Sequence, residues 1–104
     1  MKILALEKEL PGATPGQFSP YLKEEALQVW NLYQASLIRE IYFHTEEHTV
    51  VMMLECSGLD QAQEVLASLP LVQAGLITFE IIPLAPYEGF ERLFYESDIY
   101  DSQR

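Results

Sequence analysis

The chain has 104 residues, the size of one ordinary domain, and 49% of them are hydrophobic, enough to form a single core. Sixteen acidic side chains against six basic ones give a net charge of −10, which makes nucleic acids and anionic membrane surfaces poor partners. One cysteine excludes an internal disulfide, and we expect a cytoplasmic protein because the sequence has neither the long apolar run of a membrane helix nor that of a signal peptide.

The first third of the chain predicts a strand followed by a helix. Residues 2–9 are short and mostly apolar, which predicts a strand, and the two Pro-Gly pairs in residues 11–16 predict a loop. Ser19 followed by Pro20 is typical of a helix start, with Ser19 as the N-cap. The helix is predicted to run to about Gln34. Its apolar stripe consists of Leu22, Ala26, Val29, Trp30 and Tyr33.

The middle of the chain predicts a β-hairpin. Residues 37–44 and 49–56 are rich in β-branched, aromatic and other apolar side chains, and the short polar segment T-E-E-H joins them. Together with the histidine before it, this segment matches H-x-x-E-H, a zinc-peptidase pattern that needs both histidines on one helical face. Because β-rich segments flank His44 and His48, we predict a solvated hairpin tip. The alternative is a surface metal site formed by these two histidines.

The last third predicts a second helix and a fourth strand. Asp60 and Gln63 have the spacing of a capping box. An apolar stripe of Ala62, Val65, Leu66 and Leu69 follows. Pro70 ends this helix or begins a further turn. The next strand is predicted at residues 76–84, and a short helical turn at residues 87–94.

The order of predicted elements, β-α-β-β-α-β, indicates an α+β fold, the ferredoxin-like sandwich. In that fold both helices cover one face of a four-stranded antiparallel sheet. Residues 1–95 form this domain, and residues 96–104 are predicted to be an acidic C-terminal tail. Because both faces of the strands are apolar, we predict a homodimer or a multiple of it. In that dimer two sheets pack face to face and close a dimeric α+β barrel.

Two segments resemble a known family. Residues 69–84, L-P-L-V-Q-A-G-L-I-T-F-E-I-I-P-L, are similar to the corresponding segment of muconolactone isomerases, and residues 30–43, which include Arg39, fit the same group. The chain looks closer to the uncharacterised relatives of these enzymes, because it departs from the isomerases around the hairpin and in the C-terminal segment. The resemblance implies a dimeric α+β barrel and an enzyme that shifts a proton within an unsaturated lactone without metal or cofactor.

Four charged residues interrupt the apolar strands: Arg39, Glu40, Glu55 and Glu80. Buried charges need partners, so one interpretation is a structural cluster or an interface salt bridge, with Glu55 and Glu80 as the partners of Arg39. The other is a polar pocket inside the barrel. There Glu80 would be the catalytic base, because a desolvated carboxylate suits proton abstraction, and Arg39 would hold a substrate carboxylate.

Two functions are therefore open. The first is a cofactor-independent isomerase that acts on a small anionic organic molecule in a barrel pocket. The second is a non-catalytic dimeric module that binds a ligand or supports assembly. The sequence has no Gly-rich phosphate loop and predicts neither a nucleotide nor a metal cofactor. The remaining conspicuous side chains are predicted to belong to the core: Trp30, Tyr33, Tyr42, Cys56 and Phe79.

Overall fold

The structure, a computed structural model, describes residues 1–94, so the predicted acidic tail at residues 96–104 lies outside the described residues. The helices and strands are β1 (Lys2–Glu9), α1 (Pro15–Phe18), α2 (Leu22–Gln34), β2 (Ile38–Phe43), β3 (Val50–Glu55), α3 (Leu59–Ala67), α4 (Pro70–Gln73) and β4 (Ile77–Leu84). Short 3₁₀ turns lie at Ser19–Tyr21 and Gly89–Leu93. Within residues 1–94 no helix combines the length and the apolar character needed to cross a bilayer.

The four strands form one antiparallel sheet in the order β2-β3-β1-β4. β1 lies in the middle and pairs with β3 on one side and β4 on the other, while β2 pairs only with β3. This order, with helical connections after β1 and β3, is the ferredoxin-like βαββαβ topology, and it confirms the predicted α+β fold. The predicted hairpin is also confirmed, as β2 and β3.

Alternate residues of the strands face the helices and form the core. On the two central strands these are Ile3, Ala5, Met52 and Leu54, all buried. The predicted stripe of the second helix packs against them, and its four residues Ala62, Val65, Leu66 and Leu69 are buried. Cys56 is buried beside them, as expected of a small apolar side chain. The side chains of this layer follow the period of two that is expected of strands.

The first helical turn begins earlier than the sequence predicted. Ser19 is not an N-cap, since it lies in the 3₁₀ turn between α1 and α2. The chain becomes helical after Thr14, whose backbone N–H donates to the side-chain oxygen of Gln17 at 2.8 Å. Pro15 occupies the first position of that turn, where a missing N–H is tolerated. The segment interpreted as a loop thus contains the real helix start.

The second predicted cap is also wrong. α3 begins after Gly58, so Asp60 lies inside the helix and cannot cap it. Gln61 instead reaches back, and its side-chain oxygen accepts the N–H of Ser57 at 2.7 Å. Pro70 does begin a further turn, α4, as one of the two alternatives held. The cap was misplaced because Gly58 was interpreted only as the end of β3.

The edge strand β2 contains a bulge that changes which of its side chains face the helices. Ile38 pairs with Leu54 but Glu40 pairs with Met53, so Arg39 is the extra residue. The extra residue changes which side chains face the helices. As a result Ile38, Ile41 and Phe43 share the face that carries the core, although simple alternation placed Ile38 opposite the other two.

The sheet leaves one face without helices. Its centre is apolar and consists of Leu4, Leu6, Val51, Met53 and Ile82, which we call the open face. All five are half-buried by their neighbours within the chain. This surface is the apolar face predicted from the strand pattern.

Three of the aromatic residues predicted for the core are at the surface. Trp30 is 54% exposed, Tyr33 48% and Tyr42 60%. Leu32 is the residue of α2 that is buried, while Phe79 is half-buried and packs on the core as predicted. The predicted helical stripe is only partly right, since Val29 packs on the core whereas Trp30 and Tyr33 are exposed.

Candidate functional site

A cavity of about 490 Å³ lies between α2 and the face of the sheet that carries the core. We call it the Glu7 cavity. Most of its wall is apolar: Phe18, Leu22, Ala26, Val29, Ile41, Phe43, Val50, Met52, Leu69, Leu71 and Phe79. Its polar residues are Glu7, Glu9, Glu25 and His48. An apolar pocket with a few convergent polar groups is the usual form of a small-molecule site.

Glu7 is positioned by the strand pattern of β1. It follows Ile3 and Ala5 on the face that turns toward the helices, so its carboxylate enters the layer between sheet and helices. One of its oxygens, Oε1, accepts a hydrogen bond from the backbone N–H of Val50 at 3.1 Å. Half-burial raises the pKa of the Glu7 carboxyl, and the hydrogen bond from Val50 opposes that shift only in part.

Glu25 brings a second carboxylate to the cavity from α2. Its Oε1 accepts the backbone N–H of Leu71 at 3.0 Å, which ties α2 to the start of α4. Partial burial raises the pKa of Glu25, and the Leu71 hydrogen bond works against this. The negative charges of Glu9 and Glu25 further raise the pKa of Glu7. A carboxyl in these surroundings exchanges protons closer to neutral pH than an exposed one.

His48 is the third chemical group of the cavity. It lies in the link between β2 and β3 with a φ of 56°, and its ring stacks on Phe43 with centroids 4.0 Å apart. Its electrostatic effect lowers the pKa of Glu7, in opposition to the two glutamates. An imidazole can donate or accept a proton near neutral pH, so the cavity holds groups for both halves of a proton transfer.

The two histidines of the H-x-x-E-H pattern have different surroundings. His44 Nδ1 accepts the backbone N–H groups of Glu46 and Glu47, both at 3.1 Å, and so stabilises the link. His48 instead lines the cavity. The predicted hairpin tip is confirmed, and the two histidines do not lie on a helix. Within residues 1–94 no three potential metal-binding side chains cluster together.

Arg39, one of the two predicted site residues, lies outside the Glu7 cavity. Its Nε donates to the backbone oxygen of Ser36 at 2.8 Å, and the residue is exposed. It lines a shallow cleft of about 400 Å³ at the outer end of α2, together with Trp30, Tyr33 and Tyr42. The Tyr42 hydroxyl donates to Glu40 at 2.8 Å, which raises the pKa of Tyr42. This Arg39 cleft is an open surface feature.

Glu80, the other predicted site residue, lies on β4, on the same side of the sheet as the open face. Its nearest cation is Lys8, at 3.9 Å, and both side chains are more than half exposed. β2 and β4 are the opposite edges of the sheet, three strand spacings or about 14 Å apart. Within one chain, therefore, Arg39 and Glu80 do not meet. The catalytic role of the pair stays a prediction.

Glu55 does not form the predicted close pair with Arg39. Its Oε2 lies 2.7 Å from the amino group of Met1. That hydrogen bond is the main reason that the pKa of Glu55 is lowered, and the charge of Arg39 adds a smaller effect. Among residues 1–94 no charged side chain is fully buried, so the expectation of a buried ion pair in the strands is wrong for the single chain.

No family model matches the chain, and no curated protein sequence matches it. Among solved structures, muconolactone isomerase matches it with a TM-score of 0.71 over 85% of this chain and 92% of that one, at 14% identity. The chain has the fold of muconolactone isomerase. The predicted resemblance is confirmed at the level of the fold.

A second solved structure is similar to the chain. It is 5-chloro-2-hydroxyhydroquinone dehydrochlorinase (TftG) from Burkholderia phenoliruptrix AC1100, in complex with 2,5-dihydroxybenzoquinone. The TM-score is 0.57 at 15% identity, and the match covers 85% of this chain and 97% of that one. At such identities the likeness to muconolactone isomerase and TftG establishes the fold alone. The chemistry rests on the residues of the Glu7 cavity.

Of the three central polar groups of the cavity, Glu7 and Glu25 were not predicted from the sequence, and His48 was considered only as a ligand of a surface metal site. A signal for Glu7 was present, because it continues the alternation of Ile3 and Ala5 into the layer that packs on the helices. A signal for Glu25 was present too, since it lies three residues after Leu22 and four before Val29 on one helical face.

Proposed function

We propose that the Glu7 cavity is the active site of a cofactor-independent isomerase that moves a proton between two carbon atoms of a small organic molecule. The observation that carries the proposal is the Glu7 carboxylate, half-buried in an apolar cavity of about 490 Å³ with its pKa raised by desolvation. A carboxylate with a raised pKa is a stronger base than one in water. The fold is compatible with this chemistry, and the resemblance to muconolactone isomerases favours it.

In the proposed reaction Glu7 takes a proton from a carbon atom beside a carbonyl group. The electrons of the broken C–H bond move into the conjugated system and give an enolate. Glu25 or His48 then donates a proton to a second carbon of that system, and a new C–H bond forms. The substrate is neither oxidised nor reduced overall, and the cycle closes when Glu7 gives its proton to water and the donor takes a proton from water.

The apolar walls contribute to this reaction by excluding water. The half-burial of Glu7 removes part of the water that would weaken the carboxylate as a base. The Val50 N–H holds Glu7 through one oxygen and leaves the other available to the substrate. The Leu71 N–H holds Glu25 in the same way. Both carboxylates are thus oriented before a substrate enters.

The pair predicted from the sequence, Glu80 as base and Arg39 as the holder of a substrate carboxylate, is a separate proposal. The two side chains lie on opposite edge strands, so only a second chain packed on the sheet could bring them into one pocket. The anionic ligand expected from the sequence belongs to that pocket. Exchange of Arg39 for alanine, with ligand affinity as the readout, tests it.

The second candidate function is a non-catalytic dimeric module that binds a ligand or supports assembly. The observation that favours it is the open face, five apolar residues on a sheet surface that no helix covers. We propose a homodimer formed through this face, as the strand pattern predicted. A dimer is compatible with either function, because the Glu7 cavity lies on the other side of the sheet. We also propose the cytoplasmic location that was expected because the sequence has no long apolar run.

Exchange of a substrate proton with heavy water tests the isomerase. The parent protein is incubated with a small β,γ-unsaturated lactone such as α-angelica lactone, and deuterium uptake is followed by NMR. We expect exchange by the parent to exceed that by Glu7→Gln by about 10²–10⁴-fold, the usual contribution of a general base. Glu24→Gln is the matched control, since Glu24 is exposed and adjacent to Glu25 on α2. Equal exchange by parent and Glu7→Gln would contradict the proposal.

A further inference from the structure

We infer that the Glu7 cavity accepts uncharged, mostly apolar molecules, with a preference for those that carry a hydroxyl group or another hydrogen-bond donor, and that it rejects carboxylates. The inference deepens the proposed function by naming a ligand class for the same site. It rests on the charges and the hydrogen-bonding groups of the cavity wall. It differs from the anionic ligand that the sequence suggested for a pocket built around Arg39.

The charge of the wall is the first argument. Three carboxylates, those of Glu7, Glu9 and Glu25, line the cavity with a single histidine. No lysine or arginine of the described residues 1–94 lines it. A ligand carboxylate would therefore approach like charges in surroundings where water screens them poorly.

The position of the nearest basic residue on the same strand supports this argument. Lys8 follows Glu7 on β1, but alternation directs it to the other side of the sheet, where it lies 3.9 Å from Glu80. Arg39 lines its own cleft at the outer end of α2. Neither side chain can neutralise an anion inside the Glu7 cavity in this structure.

Hydrogen bonding is the second argument. Glu7 and Glu25 each use Oε1 to accept a backbone N–H, from Val50 and from Leu71. Within the described residues Oε2 of each carboxylate has no hydrogen bond, so each can accept one from a ligand. An ionised ligand carboxylate offers only acceptors, whereas a hydroxyl offers the donor that these oxygens lack.

The remaining wall sets the size and polarity of the ligand. Eleven of the fifteen lining residues are apolar, and they include the rings of Phe18, Phe43 and Phe79. A cavity of about 490 Å³ accommodates a substituted ring. A wall that is mostly apolar solvates charge poorly, so a ligand cation would also lose its hydration there. Burial in the same wall raises the pKa of Glu7.

Binding of three ring compounds of one size tests the inference. Benzyl alcohol, benzoate and benzylammonium are titrated into the parent protein at neutral pH, and the NMR signals of the His48 ring are followed. We expect benzyl alcohol to shift these signals and benzoate to bind at least about tenfold more weakly. Tighter binding of benzoate or of benzylammonium, or no binding by benzyl alcohol, would overturn the inference.

Two variants separate the effect of charge from that of shape. In the double variant Glu7→Gln/Glu25→Gln the cavity keeps its size but loses two negative charges, and we expect the preference for the alcohol over benzoate to fall below about threefold. Glu24→Gln removes one exposed charge of the same helix and is expected to keep the preference of the parent. An undiminished preference in the double variant would contradict the role of these carboxylates.

Ligand binding and proton exchange, measured together, distinguish the proposed ligand class from the proposed isomerase activity. If the parent prefers the alcohol but exchanges no substrate proton, the ligand class holds and the isomerase proposal fails. If it exchanges protons but prefers benzoate, the isomerase proposal holds and the ligand class fails.

Discussion

The carboxylate of Glu7 accepts the backbone N–H of Val50 at 3.1 Å, one residue beyond the last pair of the β1·β3 ladder. If the pairing of β1 with β3 continued, a backbone carbonyl of β1 would accept this N–H; here the Glu7 side chain accepts it instead. This contact fixes the orientation of a half-buried acid at the mouth of the hairpin. The same hydrogen bond therefore stabilises the end of the strand and positions the proposed base.

Glu7→Gln is expected to raise the stability of the protein at neutral pH. The amide keeps an oxygen for the Val50 N–H and removes a charge that burial disfavours. Because the folded pKa of Glu7 is raised, the folded state binds more protons than the unfolded state, and ionisation of Glu7 destabilises the fold as pH rises through that window. The advantage of the variant should therefore shrink as pH falls and the parent carboxyl is protonated.

Thermal unfolding of both proteins over about pH 4 to pH 8 measures this difference. A gain in melting temperature that grows with pH agrees with the expectation. Identical melting temperatures across the range would show that Glu7 is not desolvated. Such a gain with a loss of activity is common at active sites.

Glu25 is expected to respond differently to two substitutions. Glu25→Gln keeps an acceptor for the Leu71 N–H, whereas Glu25→Ala leaves that backbone group without its partner. Loss of the partner of a partly buried donor costs about 1–3 kcal/mol. Denaturant unfolding should show this loss for Glu25→Ala and not for Glu25→Gln. A destabilisation of the same size in Glu24→Ala would mean that helix propensity or general charge explains it.

His48→Asn separates the chemistry of the imidazole from the shape of the link. Asparagine tolerates a positive φ, so the backbone at a φ of 56° should be preserved. The stack on Phe43 and the proton-carrying ring are lost. We expect the exchange rate to fall by about 10²-fold or more with little change in stability. If His48→Asn exchanges the substrate proton as fast as the parent, His48 is not the proton donor, and Glu25 is the remaining candidate.

Arg39→Ala is expected to change the free energy of unfolding by less than about 1 kcal/mol. Arg39 is exposed and contacts the Ser36 backbone oxygen, and its effect on Glu55 is a minor one. Loss of one member of a buried ion pair, one of the alternatives that the sequence left open, would instead destabilise the protein by about 3–5 kcal/mol. Denaturant unfolding of the isolated variant decides between these values.

The open face is expected to form the contact between two chains. Val51→Lys places a charge at its centre and should convert a dimer to a monomer of 11.9 kDa. Glu64→Lys, on the exposed side of α3, is the control for a change of charge. Sedimentation equilibrium at micromolar concentration reports both. A parent protein that is a folded monomer would contradict the shared barrel.

Much of the fold could be predicted from the sequence because its signals are local and repeated. Short apolar runs, bounded by turn residues, located all four strands, and the spacing of Ala62, Val65, Leu66 and Leu69 located α3. The caps at Ser19 and Asp60 were misplaced, because several polar or small residues near the start of each helix can serve as the N-cap and the sequence does not distinguish between them. The bulge at Arg39 has no marker in the sequence, and it alone decides that Ile41 and Phe43 face the cavity.

The candidate site was harder to predict because its residues are far apart in the chain. Glu7, Glu25 and His48 come from a strand, a helix and a hairpin link, and only the packing of α2 on the sheet brings them together. Glu80 attracted attention because Phe79 and Ile81 are its neighbours. In a strand, however, neighbours in sequence point to opposite faces of the sheet. Phe79 and Ile81 therefore face the helices, while Glu80 lies on the other side, where it is more than half exposed.

The pH dependence of proton exchange tests the central claim, that Glu7 is the base, most directly. The exchange rate of α-angelica lactone and the carbon signal of the Glu7 side chain are measured over the same pH range. We predict that the rate rises with pH at the titration midpoint of Glu7, that this midpoint lies above the ordinary pKa of a glutamate, and that Glu7→Gln abolishes the rise. A rate that follows another midpoint, or a rise that persists in Glu7→Gln, would show that Glu7 is not the base.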